Sequence, residues 1–582
     1  MKKRLVAVGM ATVMSISLAA CGNMEMNDNQ NAEGGELTDR SENGSPEEKT
    51  GADNDLYGYE EPVTIKVGFG LTNQDFYGGE TYDNNSWIDL YKEHNIVLDI
   101  LYNVDSSQAD TKFATAIMSG DYPDVICTGP SDYVNYANDG VTADITDLLE
   151  EYGSEELKEY LYSDGGVAME ALKQDGKLYG LPKMGSAYDK VPLMFIRGDW
   201  LENLGLEVPE TMDELKEVAY AFTYSDPDQN GKDDTYGLAI AGVSVVTTWL
   251  GDASAIFSGF GAHIGTDAMA LTEGEDGKIT WGGMNTEGMK EAITFLKGLY
   301  DDGSLAKDFV TMTTEKVGEE ANAGRCGIWF GPMSGGMDAG FKSMKSDAKS
   351  HVICTPVPDG LGQGGSKSFL PSAYDSVYCV SSQCENPEVL IKLMNLSVKY
   401  LCHSQNEEEY YRYYGDSENY TGWKLCLTPT LEPLKNYQCY QKMGDALKNR
   451  DDSKLNPYEK DIYSSLVIYL DALEDGTFDA QNDAFMSPVG RYTVYGDPEG
   501  SYAALSKMIQ EDRFVESAYN APLTDEQAEV TGTLQKMTIE TIVKIVTGAE
   551  PIEYYDTFLE QWKVSGGQDY INTAQETVDA NR

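Results

Sequence analysis

The segment that most constrains the fold runs from residue 61 to residue 129, where short β-branched or apolar runs alternate with helical ones. EPVTIKVGFG carries an alternating run at Val63 to Val67 and ends in glycine, and WIDLYKEHN has helical character. NIVLDILYNV is a second strand, DTKFATAIMSGDY a second helix closed by Gly120, and PDVICTG a short apolar strand after a turn. Strands separated by helices at this spacing predict a parallel, wound α/β sheet, since parallel neighbours need a crossover that a helix supplies. Ligands of such sheets lie outside the carboxyl ends of the strands. The loops 69–76 and 127–134 are therefore candidate binding loops on geometry alone.

Further on, the pattern becomes more helical. TMDELKEVAYAFTY has a threonine cap and apolar residues at helical spacing, and TEGMKEAITFLKGLYDDG closes at Gly303. The C-terminal third carries PEVLIKLMNLSVKYL, TDEQAEVTGTLQKMTIETIVKIVTG and YYDTFLEQWKVSGG, with Pro387 opening one helix and Gly548 ending another. No internal repeat or low-complexity segment is found past residue 56.

The amino-terminal residues belong to a different physical regime. Lys2, Lys3 and Arg4 precede an apolar run from Leu5 to Ala20. That run is too short and too rich in small residues to span a bilayer comfortably and has the layout of a secretory signal, residues 1–20. It ends in LAAC, which resembles a bacterial lipobox; the alternative is an ordinary signal peptide that abuts Cys21. The lipobox resemblance implies acylation of Cys21, palmitate included, and several chains anchor where a single one binds only marginally. Residues 22–56 hold ten acidic and two basic side chains and no Val, Ile, Phe or Trp. Such a segment cannot bury enough apolar surface to offset its ordering entropy, so 21–56 is expected to be a lipidated, disordered acidic tether. No other stretch is long and apolar enough to span a membrane.

About 525 residues remain, enough for two or more domains. With 97 acidic against 43 basic side chains the net charge is −54, which argues against nucleic acid and against adhesion to anionic lipid. Acidic solutes are repelled at long range, so a neutral ligand is expected. Besides Cys21 there are eight cysteines, at 127, 326, 354, 379, 384, 402, 426 and 439, in no metal-binding spacing. Export permits disulfides, and buried free thiols fit equally well.

One loop has the chemistry of a cation site. In DPDQNGKDDTYG, Asp226, Asp228, Asn230 and Asp234 place side-chain oxygens at positions one, three, five and nine, with the carbonyl of Lys232 at seven and Gly231 permitting a sharp turn. A hard cation such as calcium requires such a set. Gly237 stands where an EF-hand has its bidentate glutamate, so the loop is not an EF-hand; an acidic, self-capped turn without metal is the alternative.

Four stretches in order carry a resemblance: GKLYGLPKM from Gly176, the run from Phe195 to Leu238 that includes RGDWLENLGLEVPETMDELKEVAYAFTYSDPDQNGKDDTYGL, AGRCGIWFGPM from Ala323, and the terminal TIETIVKIVTGAEPIEYYDTFLEQWKVSGGQDYI. Together they resemble the family 1 extracellular solute-binding proteins of ABC transporters, in particular the large lipoprotein branch of Gram-positive bacteria. The resemblance implies an α/β, two-lobed, type II binding-protein fold of the maltose-binding kind, each lobe a sheet flanked by helices. It places 57–186 with 331–402 in an N-terminal lobe and 187–330 with 403–582 in a C-terminal lobe, with crossings near Pro182 to Val191, Trp329 to Pro332 and residue 400. It also implies capture of a carbohydrate, most naturally an oligosaccharide, by a monomer that delivers it to two permease subunits. The family it resembles has members with a calcium site in this loop made without that glutamate, so the resemblance implies calcium here, with Thr235 or water to complete the shell.

Sugar sites combine aromatic platforms with amides and carboxylates. Where strands end or lobes cross, the candidates are Trp249, Trp281, Trp329, Phe330, Tyr374 and Asp375, followed by Phe257, Trp87, Tyr133 and Trp423. Trp200 and Trp562 are read as core residues. The competing functions are a secreted surface glycoside hydrolase and a binding protein for a non-sugar solute such as a peptide. A glycosidase needs two carboxylates across a cleft, a test that means little with 97 acidic residues. His94, His263, His351 and His403 form no H-E-x-x-H, and there is no G-x-S-x-G or C-x-x-C. GLGQGG at 360–365 matches G-x-G-x-x-G, but Pro356, Pro358 and Pro371 flank it, so it reads as a flexible loop rather than a phosphate cradle. No catalytic constellation is found, which favours binding over turnover.

Overall fold

The computed structural model describes residues 56–71, 79–274, 276–415 and 421–581. The expected signal stretch, the lipidated Cys21, nearly all of the tether and most of loop 69–76 lie outside the described residues. In chain order the strands are β1 (Val63–Leu71), β2 (Ile96–Asp105), β3 (Val125–Thr128), β4 (Gly180–Met184), β5 (Leu193–Arg197), β6 (Tyr236–Leu238) and β7 (Leu271–Glu273). They continue as β8 (Ile279–Trp281), β9 (Cys326–Gly331), β10 (Val352–Thr355), β11 (Ser368–Leu370), β12 (Tyr374–Val380) and β13 (Phe514–Glu516).

Around the first hydrophobic core, β1 and β2 pair in parallel, joined by the helix Ser86–Glu93 whose first amides are capped by Asn85. β3 departs from the expected parallel order. It meets β1 only through Asp124, whose carboxylate accepts the Lys66 amide at 2.7 Å, and its ladder is antiparallel, to β12. β12 also runs antiparallel to β4. The direction of β12 is free because it returns from the other core, with no local crossover helix to impose parallel pairing.

The second core is built on the order β10-β5-β9-β6, in which β5 runs antiparallel to both neighbours and β6 parallel to β9. Every residue of β5 and β9 is buried, as strands covered on both faces must be. The amphipathic helix Met212–Tyr224 packs its apolar face here, started by a capping box between Thr211 and Glu214. Trp200 meets Phe222 edge-on at 5.2 Å, and Arg197 grips Asp199 through two hydrogen bonds of 2.8 and 2.6 Å in a nearly dry setting. The helices Thr286–Asp302 and Asp525–Val546 complete this side, the first closed by Gly303 in the left-handed region.

The chain changes core three times. The first core holds residues up to Met184 and again from Tyr374 to Cys426, and the second holds Val191 to Val357 and then Cys439 onward. The crossings are therefore 185–190, 358–373 and 427–438. The expected return at Trp329–Pro332 is corrected: β9 lies between β5 and β6 inside the second sheet. The expected boundaries move for the same reason, since β10 pairs with β5 although it falls within 331–402, and Tyr410 to Cys426 pack in the first core although they follow residue 403. All eight described cysteines are free thiols. Among the described residues no helix is long and apolar enough to cross a membrane.

Candidate functional site

The three crossings converge on one cavity of about 310 Å³, lined by Gly185 to Tyr188 from the first, Leu370 to Ala373 from the second, and Pro433 and Leu434 from the third. The first core adds Ser163, Asp164 and Val167, and the second adds Glu516, Ser517 and Asn520. Local chemistry fixes several of these groups. Asp164 accepts the amides of Gly166 and Ala168 at 2.9 and 2.8 Å, which sets its carboxylate at the start of the helix Val167–Ala171. Gly185 donates its N–H to Ala373 at 2.6 Å, joining the first crossing to the second. Tyr374 donates its hydroxyl to the carbonyl of Asn520 at 2.7 Å, across the two cores, and Tyr188 packs on Phe514 with ring centroids 5.2 Å apart. Asn520 Oδ1 is buried and has no hydrogen-bond partner among the described residues. A dry, unmet acceptor costs free energy unless something donates to it.

Behind the cavity a polar network knots the first and third crossings. The Asp189 carboxylate accepts the Tyr502 hydroxyl and, at 2.8 Å, the amide of Asn436. Asn436 in turn accepts the hydroxyls of Tyr458 and Tyr495 at 2.6 and 3.0 Å. Burial pushes the Asp189 carboxyl up, opposed by its hydrogen bonds to Tyr502, Asn436 and Ser186.

The aromatic candidates divide sharply. Trp249 is 45% exposed, on a turn whose Gly251 amide bonds the Phe330 carbonyl at 2.7 Å. Trp281, Trp329 and Phe330 are wholly buried, which corrects their assignment as ligand platforms. Trp281 stacks on Trp562 at 4.1 Å and donates to the Ala268 carbonyl, while Trp329 stacks on Phe195 at 5.9 Å and donates to the Gly335 carbonyl. Their polar handles are spent on backbone and both faces on packing. Phe257, Trp87 and Tyr133 are buried as well. Tyr374 and Asp375 sit where the second crossing enters β12; Tyr374 bridges the cores, and exposed Asp375 faces Lys190 at 3.7 Å. Trp423 lines a separate cavity of about 210 Å³ beside the third crossing, together with Tyr414, Lys435 and Tyr458. Asn520, Glu516 and Tyr188 were missed because no local pattern marks them. The run FVESAYN reads as an ordinary strand and turn.

In the acidic loop, Asn230 Nδ2 donates to Asp228 at 2.6 Å and to Asp234 at 3.1 Å, and the Gly231 amide points at the Asp226 carboxylate at 3.1 Å. Partial burial, and then the Asp226 and Asp234 carboxylates, push the Asp228 carboxyl above its usual range. The carboxylates are thus electrostatically crowded and tied through the Asn230 amide, whose oxygen accepts the Lys232 N–H at 2.8 Å. Among the described residues no group of three or more His, Cys, Asp or Glu side chains is disposed as a metal site. Thr235, expected to complete the shell, instead donates its hydroxyl to the Phe222 carbonyl at 2.9 Å.

The loop GLGQGG is ordered rather than flexible, and the reason is an anion of its own. The Asp359 carboxylate accepts the amides of Leu361, Gly362, Gln363, Gly364 and Gly365 at 2.6–3.1 Å. Burial opposes ionisation here, yet these backbone donors hold the Asp359 carboxyl below the usual carboxylate range.

This arrangement, two cores joined by three crossings around a cavity, is accompanied by a match over residues 84–396 to the sequence model of the bacterial extracellular solute-binding proteins. The chain belongs to that family. A polygalacturonan/rhamnogalacturonan-binding protein of Bacillus subtilis (strain 168) is 25% identical to this solute-binding protein over 505 residues, covering 84% of this chain and 86% of its own. An HMO-binding, ABC-transporter-associated solute-binding protein of Bifidobacterium longum infantis has a TM-score of 0.58 at 17% identity, over 89% of this chain and 99% of that one. An ABC-transporter substrate-binding protein of Streptococcus pneumoniae, solved in complex with kestose, has a TM-score of 0.57 at 19% identity, over 89% and 100% of the two chains. These structural likenesses show the α/β, two-lobed binding-protein fold.

Proposed function

We propose that this solute-binding protein captures an oligosaccharide in the cavity at its three crossings and delivers it to the permease subunits of an ABC importer. The observation that carries the reading is the convergence of all three crossings, and of side chains from both cores, Asn520 among them, on one cavity. A ligand touching both cores favours the closed arrangement by its differential affinity for it, and the closed arrangement is what a permease would recognise. The polysaccharide named for the Bacillus relative supports a glycan over a peptide. The lobes we propose follow the cores, 57–184 with 374–426 and 191–357 with 439–581. Acylated Cys21 would hold a monomer at the outer face of a Gram-positive membrane.

Isothermal titration of the full chain with a panel of tri- and tetrasaccharides tests this. A saturable signal with at least one glycan, recovered chemically unchanged, is expected, and Asn520→Ala should weaken it about tenfold, the worth of one buried hydrogen bond. Glycan breakdown would establish the hydrolase instead, and peptide binding without glycan binding would establish the non-sugar reading.

We also propose that Asp226, Asp228, Asn230, Asp234 and the Lys232 carbonyl hold a structural calcium ion, which would relieve the crowding of the carboxylates. Excess EGTA should lower the melting temperature by several degrees, and Asp228→Asn should abolish that response. Superimposed melting curves with and without chelator would refute the site.

A further inference from the structure

The charge of the groove specifies the class of sugar. The cavity at the crossings adjoins a second, of about 470 Å³, which shares Tyr188, Leu370, Glu516 and Ser517 with it. Among the described residues the two are lined by four carboxylates, Asp164, Glu516, Glu273 and Asp512, and by no lysine or arginine. Of the cations nearest in sequence, Lys190 faces Asp375 at 3.7 Å and Arg513 holds Glu511 at 2.5 Å, while Lys367 stands 3.9 Å from the groove's Asp512 and offsets that one carboxylate, leaving Asp164, Glu516 and Glu273 to set the sign. A uronate carboxylate entering the groove would shed water without gaining the guanidinium or ammonium partner that compensates a buried anion. It would meet like charge at close range, and the net charge of −54 opposes it at long range. Neutral hydroxyls have the opposite fortune, since they can donate to the exposed Glu516 carboxylate.

We propose that the groove takes neutral oligosaccharides and turns away uronate-containing ones, with Glu516 and Asp164 setting the sign of charge it admits. This rests on the oligosaccharide reading above and deepens it, and it sets the chain apart from its relative named for polygalacturonan binding. Glu516 is exposed on β13 and enters no ion pair among the described residues. Its charge can therefore be reversed without breaking a contact.

The test titrates the full chain and its Glu516→Lys and Asp164→Asn variants with galactotriose, kestose, maltotriose, xylotriose and trigalacturonate, at low and high salt. At least one neutral trisaccharide should bind the unaltered chain about 100-fold more tightly than trigalacturonate, as like-charge juxtaposition worth a few kcal/mol requires. Glu516→Lys should narrow that gap about tenfold, by tightening trigalacturonate and by removing the acceptor that Glu516 offers to neutral sugars. High salt should strengthen residual trigalacturonate binding, because it screens repulsion. Trigalacturonate bound as tightly as the best neutral sugar, or a gap unmoved by Glu516→Lys, would overturn the charge filter and leave the oligosaccharide reading standing. Absence of binding by all five sugars would overturn both.

Discussion

Trp281 and Trp249 differ in the structure in a way that one pair of substitutions can resolve. Trp281 has no exposed surface, lies face to face with Trp562 at 4.1 Å and 8°, and donates its indole N–H to the Ala268 carbonyl at 2.9 Å. Truncation of a buried tryptophan costs about 3–5 kcal/mol. The stacked pair accounts for about 0.5–1.5 kcal/mol of interaction beyond area, and the orphaned carbonyl places Trp281→Ala toward the upper end. With a urea slope of about 2–3 kcal/mol per molar, the transition of the second core should move down by about 1.5–2 M. The two cores need not unfold together, so the comparison concerns the transition that Trp281→Ala displaces. Trp249 is 45% exposed, and Trp249→Ala should move no transition by more than about 0.3 M, the effect of a typical surface change. Urea titrations followed by fluorescence, with sugar affinity measured on the folded variants, give the two readouts. Trp281→Ala should leave affinity intact; normal stability combined with lost binding in that variant would refute the burial argument.

Other titrations and variants read separate parts of the molecule. Burial pushes the Asp252 carboxyl up to about 7 although Ser254 and Thr247 donate to it, so the folded chain holds a proton that the unfolded chain has lost above about pH 4. That contribution to stability is lost as pH rises from about 4 to 7, and Asp252→Asn should flatten this arm in urea midpoints taken across the range. His263 has the opposite sign: burial, aided by Lys367, lowers its pKa to about 4, so stability falls as pH drops from about 6.5 toward 4, and His263→Gln should remove that slope. Asp359→Ala deprives five amides of their acceptor. It should destabilise the second crossing by about 2–3 kcal/mol and give fast hydrogen exchange at residues 361–365, and protected amides there would refute the role of the carboxylate.

Local chemistry was legible in the sequence, and assembly at a distance was not. Thr211, by a side chain that meets its partner within one turn, and Gly303, by its left-handed backbone, mark helix ends, and both act as their positions predict. The β1–helix–β2 unit was legible for the same reason, being complete within a few dozen residues. β12 was not, because its partners β3 and β4 precede it by most of a lobe and neither announces an antiparallel neighbour. The aromatic candidates show where the signal was available and not used. CGIWFG is apolar at every position, the mark of a strand covered on both faces, so Trp329 and Phe330 could have been assigned to the core from that run alone. Trp281 carries no such mark; its burial depends on Trp562 from the far end of the chain. Asn520 is an unremarkable turn residue until Ser163 and Gly185 are folded around the same cavity.

Asp189 shows what polar ties at the crossings can do that apolar packing cannot. Close-packed cores resist deformation, so any relative motion of the two must be taken up by the segments that join them. Those segments are tied by groups that can exchange partners. Asp189 is held by Tyr502 and Asn436, and Asn436 by Tyr458 and Tyr495, while Gly185 meets Ala373 through backbone alone. An apolar seam would open a void whenever the crossings shifted, whereas hydroxyls and amides can re-form their bonds with each other, with water or with a bound sugar. The chemistry that would let the crossings move is therefore the same chemistry that would recognise a hydroxylated ligand where the chain passes from one core to the other.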